Sequence, residues 1–238
     1  FAQRIFLAFE SAAAAFDRQK VRVVGTPVRR EFLAQVGEVE SPPVAERRHL
    51  LVFGGSQGAK AINSAMLDAL ASLKERLPGL AITHQTGEAD CQRVREAYGR
   101  AGVEAEIVPF LYDMPKVLRT ADLVVARAGA MTIAELAACG KPAILIPLPT
   151  AIYDHQMKNA RAMEAAGGAM VVPQANLTGA TLSESVSVIL LNSQRLEAMS
   201  AKSRAMRRID AGEVIVRECY ALMGVTHDID RSVGAAGV

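Results

Sequence analysis

Two glycine-containing turns, "GGSQG" at 54–58 and "RAGAMT" at 127–132, each stand between an apolar β-type run and a helix-forming segment. Such a junction aims backbone N–H groups and the positive end of a helix at whatever lies beyond the strand, which suits a phosphate. In the first turn Gly54, Gly55 and Gly58 permit close backbone approach, and Ser56 adds a hydroxyl donor. In the second, Gly129 and Ala130 leave room for a phosphate, and the N–H groups near Met131 and Thr132 point at it. Glu135 follows in what reads as the first turn of that helix, ahead of "LAACG". A carboxylate is a poor partner for phosphate but accepts two hydrogen bonds from a ribose diol, so the pair describes a nucleoside diphosphate. The plainer alternative is a capping box, Thr132-x-x-Glu135, in which the two side chains satisfy backbone donors.

A third segment, "DHQMKNA" at 154–160, opens another helix. Gln156 and Asn159 are three apart and share a face, where amides can read sugar hydroxyls. Against this, Asp154 can be a simple N-cap with the amides solvated. His155 is a candidate base, although a lone histidine there is more often a surface residue. Arg29, in "GTPVRR", can steer an anion or be a plain surface charge. The glycine turn is not a Walker loop, because no Gly-Lys-Ser/Thr ending follows. A dinucleotide fingerprint also fits poorly, since "LAITH" is followed by Gln85 and Thr86 rather than an acid for an adenosine ribose.

These segments need a scaffold that brings them together, and the pattern supplies one. Apolar, β-branched-rich runs occur at 49–53, 80–84, 105–110, 122–126, 142–147 and 169–173, separated by helical segments near 59–76, 88–101, 113–120, 132–139 and 154–167. Continuous apolar strands alternating with helices predict an α/β fold, a Rossmann-like open parallel sheet with helices on both faces. In such a sheet "GGSQG", "QTGE" (85–88), "LYD" (111–113), "RAGAMT" and "PTAIYDHQ" (149–156) all fall at the carboxyl edge, where ligands bind. Three further helices are predicted near 179–191, 194–208 and 211–223, and a frayed tail beyond. The opening "FAQRIFLAFESAAAAF" reads as an amphipathic helix, followed by a short strand at 21–25 and a polar, Pro-containing linker at 37–48.

With 27 basic and 25 acidic residues, the net charge of +2 offers no concentrated basic face for nucleic acid. Cys91, Cys139 and Cys219 fit no metal or redox spacing. No apolar run reaches the roughly 20 residues of a membrane span. The chain opens without a methionine, in what reads as mid-helix, and looks like a piece of something longer.

In order, "GTPVR", "GGSQGAKAIN", "PFLYDM", "RAGAMTIAEL", "GKPAILIPLP" and "DHQMKNA" resemble the MurG family of peripheral bacterial glycosyltransferases. The match runs from about residue 21 to 160 and more weakly to about 223. The resemblance implies the C-terminal, donor-binding half of a GT-B enzyme. Such an enzyme transfers N-acetylglucosamine from UDP-N-acetylglucosamine to undecaprenyl-pyrophosphoryl-MurNAc-pentapeptide, with inversion and no cofactor or metal. Residues 1–36 would close the family's other domain and cross over, 37–48 would link, 49–223 would form the donor domain, and 224–238 would be a disordered tail. Matching positions imply substrate contacts at Arg29, Ser56, Gln57, Leu111, Ala130, Met131, Thr132, Ile133, Ala134, Glu135, Gln156 and Asn159. Leu111 would hold uracil through its backbone, Ser56 and the helix start the diphosphate, Glu135 the ribose, and Gln156 with Asn159 the sugar.

The general base, the lipid-linked acceptor site and the membrane-facing patch belong to the family's N-terminal domain, which this sequence does not contain. The family resemblance places the protein at the cytoplasmic face of the plasma membrane, with this portion soluble. Thr26 stands where the family usually has Asn. Two alternatives stay open: a non-catalytic UDP-sugar-binding subunit with a separate acceptor partner, and a GT-B sugar-nucleotide epimerase.

Overall fold

The computed structural model describes residues 2–33, 48–151 and 154–225. The expected linker at 37–48 lies outside them except for Arg48, as does the tail beyond Val225. The chain divides into two compact units, one from Arg29 to Arg207 and one formed by the residues on either side of it.

In the flanking unit, β1 (Ile5–Leu7) pairs in parallel with β2 (Val21–Val23), Ile5 opposite Val21. A 3-10 helix over Glu10–Ala15 joins them, and the closing helix α9 (Ala211–Leu222) belongs to the same unit. The expected opening helix is therefore not formed. Its apolar residues at every fourth position fit a helix, but the unbroken Ile5-Phe6-Leu7 triplet pairs as a strand, and Phe16 is left exposed. Short apolar runs are ambiguous by period alone, and here the partner strand decides.

The central unit holds a six-stranded, fully parallel sheet in the order β5-β4-β3-β6-β7-β8. The strands are β3 (His49–Phe53), β4 (Ala81–Gln85), β5 (Glu106–Val108), β6 (Leu123–Ala126), β7 (Ala143–Leu145) and β8 (Ala169–Val171). Short α1 (Arg30–Leu33) precedes them. Between and after them come α2 (Lys60–Arg76), α3 (Cys91–Ala101), α4 (Met114–Thr120), α5 (Ala130–Cys139), α6 (His155–Ala165), α7 (Gly179–Leu190) and α8 (Ser193–Ala205).

The unbroken apolar strands follow from burial on both faces. Leu50, Val52, Leu123 and Val125 pack in one cluster with Ile62, Met66 and Leu73 of α2 and Leu182 and Val186 of α7. Leu51 and Val124, one residue out of phase, are equally buried, as are Ile133 and Leu136 of α5 and Met163 of α6. Alternating Cβ directions put these two sets on opposite faces of the sheet. Each fully buried Leu contributes about 1.5–3 kcal/mol, so a polar residue at any of these positions is excluded. Gly179 lets α7 close on α2, since a Cβ there would stand 2.5 Å from that of Asp68.

Candidate functional site

The strand order reverses between β3 and β6: the chain leaves β3 toward β4 and β5 on one side, then returns to lay β6, β7 and β8 on the other. Such a switch point leaves a crevice at the carboxyl ends of the two central strands. Both helices that start there are uncapped. The N-cap residues, Ala59 for α2 and Gly129 for α5, make no side-chain capping bond. The first backbone bond in α5 runs from Ile133 N to Gly129 O at 3.0 Å. Hence the N–H groups of Ala130, Met131 and Thr132 have no acceptor among the described residues. Three such donors at a positive helix end have the geometry and charge to take an anion.

The β3–α2 turn, carrying exposed Ser56 and Gln57, is held by a backbone interlock with the turn after β4. Gly58 has φ +72 and Gly87 has φ +79. A Cβ on Gly58 would lie 1.9 Å from Thr86 O, and one on Gly87 would lie 2.3 Å from Gln57 O. Only glycine permits two chains to close to that distance with positive φ.

Behind the interlock lies a polar network that sequence reasoning did not anticipate. Asn63 of α2 donates through Nδ2 to Thr86 O at 3.0 Å and to Asp90 Oδ2 at 2.7 Å. Its Oδ1 lies 3.1 Å from His84 Nε2, and His84 Nδ1 lies 3.2 Å from the Tyr98 hydroxyl. Burial, only partly offset by Asp90, lowers the His84 pKa to about 4, so the ring is neutral. Arg93 grips Asp90 bidentately at 2.6 and 2.7 Å and holds its carboxyl down to about 2. Gln85 adds a bridge, accepting from Gly54 N at 3.3 Å and donating to Pro109 O at 3.0 Å. The loops after β3, β4 and β5 are thus one hydrogen-bonded assembly. The one legible signal was "HQT" at the end of a strand otherwise apolar in type.

A second clamp fixes the start of α5. Gln156 Oε1 accepts from Ala128 N at 3.2 Å and from Leu148 N at 3.0 Å. Asn159, itself buried, donates from Nδ2 to Ala128 O at 3.1 Å. Both amides therefore face the 127–129 turn, with at least part of their hydrogen-bonding capacity spent on backbone. Arg127 is engaged by the segments that follow β7 and β8, donating to Ile146 O at 3.1 Å and to Gln174 Oε1 at 2.7 Å. Asp154 does not cap α6: it makes no capping bond and is the one non-glycine with positive φ (+56) among the described residues.

Because α5 starts at Ala130, Glu135 stands in its second turn rather than its first, and Thr132 is inside the helix rather than at its cap. The capping box is therefore not formed. No described group donates a hydrogen bond to the Glu135 carboxylate. Partial burial raises its pKa above the ordinary value, while Arg29 opposes that shift without making an ion-pair contact. The Arg29 guanidinium sits 5.2 Å from the centre of the Phe32 ring. At the far side, half-buried Leu111 lies between Phe110 and Tyr112, whose rings meet edge-to-face at 5.1 Å. Two strand spacings, about 10 Å, separate the β5 and β3 ends. Ser56, Gln57, Leu111, the start of α5 and Gln156 thus share one sheet edge. Among the α5 positions Ile133 differs from the rest: it is buried in the core, whereas Ala130, Thr132, Ala134 and Glu135 are half-buried and Met131 is exposed.

An open parallel sheet wound both ways from a central switch point, with loops gathered at its carboxyl edge, defines a Rossmann-like domain of the GT-B type. Residues 49–214 match the model of the glycosyltransferase family 28 C-terminal domain, and the chain belongs to that family. It is 46% identical over 226 residues to the UDP-N-acetylglucosamine--N-acetylmuramyl-(pentapeptide) pyrophosphoryl-undecaprenol N-acetylglucosamine transferase of Syntrophotalea carbinolica, covering 94% of this chain and 62% of that protein. The crystal structure of Acinetobacter baumannii MurG superimposes with a TM-score of 0.75 at 31% identity, over 91% of this chain and 60% of the other. A UDP-N-acetylglucosamine 2-epimerase structure aligns at TM-score 0.67 and 16% identity, over 94% of this chain and 58% of that one, a likeness of fold alone. The chain spans about three fifths of the length of the curated relatives it matches. Among the described residues no helix is long and apolar enough to cross a membrane.

Proposed function

We propose that this chain is the donor-binding portion of an inverting N-acetylglucosaminyltransferase of peptidoglycan synthesis. It would bind UDP-N-acetylglucosamine and act with an acceptor domain on undecaprenyl-pyrophosphoryl-MurNAc-pentapeptide at the cytoplasmic membrane face. The observation that carries this reading is a pairing on one helix. Three N–H groups that have no acceptor among the described residues stand one turn before a carboxylate that accepts no hydrogen bond from those residues and has Arg29 acting on it from a distance. The N–H groups of Ala130, Met131 and Thr132, with Ser56 and Gln57 across the crevice, take the diphosphate. Glu135 accepts from the ribose diol, and Arg29 helps keep it ionised. The Leu111 backbone meets the uracil. Gln156, whose oxygen is engaged, offers its Nε2–H to a sugar hydroxyl, while Asn159 supports the turn.

Transfer places negative charge on the departing UDP. Preorganised N–H donors stabilise that charge as it develops, each at the scale of about 3 kcal/mol. The base that deprotonates the acceptor hydroxyl would come from the acceptor domain. An epimerase reading has fold likeness behind it, whereas the transferase reading has 46% identity to a named transferase.

Calorimetric titration of UDP-N-acetylglucosamine and of NAD into the chain tests the proposal. Saturable binding of the sugar nucleotide and none of NAD is expected. NAD binding, or no binding of either, would contradict it.

A further inference from the structure

His84 is a wholly buried imidazole that the proposed function leaves unused. Its surroundings admit one arrangement of protons. Asn63 Nδ2 faces only acceptors, the Thr86 carbonyl and the Asp90 carboxylate, so chemistry fixes that amide with Oδ1 toward His84. An amide oxygen only accepts, so His84 donates its Nε2–H. Its Nδ1 then presents a lone pair, and the Tyr98 hydroxyl donates to it. The chain of bonds ends on Thr86 O, the atom that stands 1.9 Å from the place of a Cβ on Gly58. Whatever moves Thr86 moves the wall against which the Ser56–Gln57 turn closes.

We propose that His84, held as its Nε2–H tautomer by Tyr98 and acting through Asn63, is a positioning residue for the phosphate-facing turn at 54–58. It touches no ligand. Its effect is to hold Thr86 O, and with it the turn, where Ser56 and the start of α2 can meet a diphosphate, an inference that rests on the nucleotide binding proposed above. Losing the tautomer lock should loosen that turn and leave the uracil and ribose contacts at Leu111 and Glu135 in place.

The test measures affinity for UDP and for UMP in the wild type, Tyr98→Phe and Asn63→Asp, with the His84 tautomer read from imidazole nitrogen NMR shifts. The wild type should prefer UDP and carry its proton on Nε2. Each variant should lose UDP affinity by about tenfold, roughly one hydrogen bond, while UMP affinity stays within about twofold on the same scale. Variants that fold and keep the full preference for UDP, or that lose UDP and UMP equally, overturn the inference while leaving nucleotide binding intact. A wild type that binds neither nucleotide overturns the functional proposal as well. Should the variants fail to fold, the wild-type spectrum still decides, because a proton on Nδ1 contradicts the proposed lock.

Discussion

A Cβ on Gly58 would stand 1.9 Å from the carbonyl oxygen of Thr86. The two loops that flank the crevice on this side are thus packed backbone to backbone, with no room for even a methyl group. Gly58→Ala must relieve both that clash and a φ of +72. The left-handed conformation alone costs about 1–2 kcal/mol, and the displaced loop adds to it. Urea unfolding should show a loss of at least about 2 kcal/mol. Gly55→Ala is the informative contrast: it has φ +90 but open space around it, so its loss should be the conformational part only.

Gln156 offers a way to separate support from recognition. Its oxygen accepts from Ala128 N and Leu148 N. Gln156→Ala leaves two N–H groups without their acceptor and should cost about 1–3 kcal/mol of stability. Gln156→Glu keeps the acceptor and should fold with near wild-type stability, but it loses the Nε2–H donor. If that N–H reads a sugar hydroxyl, Gln156→Glu should weaken UDP-N-acetylglucosamine more than UDP, by paired titrations of the two ligands.

Glu135 should make donor binding pH-dependent. Its pKa is raised by partial burial, the larger cause, and pulled back by Arg29. A ribose diol donates best to the ionised form, so affinity should be full above the raised pKa and fall as pH drops through it. Arg29→Ala should move the fall to higher pH. Glu135→Gln should flatten the profile, as a series of titrations across the acid range would record.

His84 should make folding itself pH-dependent. Its pKa falls from 6.5 to about 4 through burial, with Asp90 opposing and Arg93 reinforcing. A depressed folded-state pKa means stability is fully present above pH 6.5 and declines as pH falls toward 4, where the folded ring also protonates. The linkage amounts to about 3 kcal/mol across that window. Chemical denaturation of wild type and His84→Gln between those limits should show a slope in the first that is largely missing from the second.

The six strands and their helices could be read because strands buried on both faces must be continuously apolar, and the spacing between them admits only helices. The sharing of one edge by Ser56, Leu111, Gly129 and Gln156 followed from parallel topology alone. The start of α5 could not be read. Thr132 is a good N-cap residue, and the real start is set by tertiary bonds from Gln156 and Asn159 to Ala128. Those bonds also turn two amides that share a helix face toward the backbone. The Asn63–His84–Tyr98 chain was equally illegible, since its members are 21 and 14 residues apart and meet only once β4 lies between α2 and α3. Ile5–Leu7 was misread because its strand partner, Val21–Val23, lies beyond the window in which helical period is judged.

The most direct test of the central claim pairs a change in the protein with a change in the ligand. UDP and 2′-deoxy-UDP are titrated into the wild type and into Glu135→Ala. If Glu135 takes the ribose diol, removing the 2′-hydroxyl should weaken wild-type binding by about 1–3 kcal/mol, the scale of a hydrogen bond to a charged group, and should change Glu135→Ala binding hardly at all. Equal losses in both proteins, or binding of UDP that Glu135→Ala leaves untouched, would mean that the carboxylate on α5 does not meet the ribose.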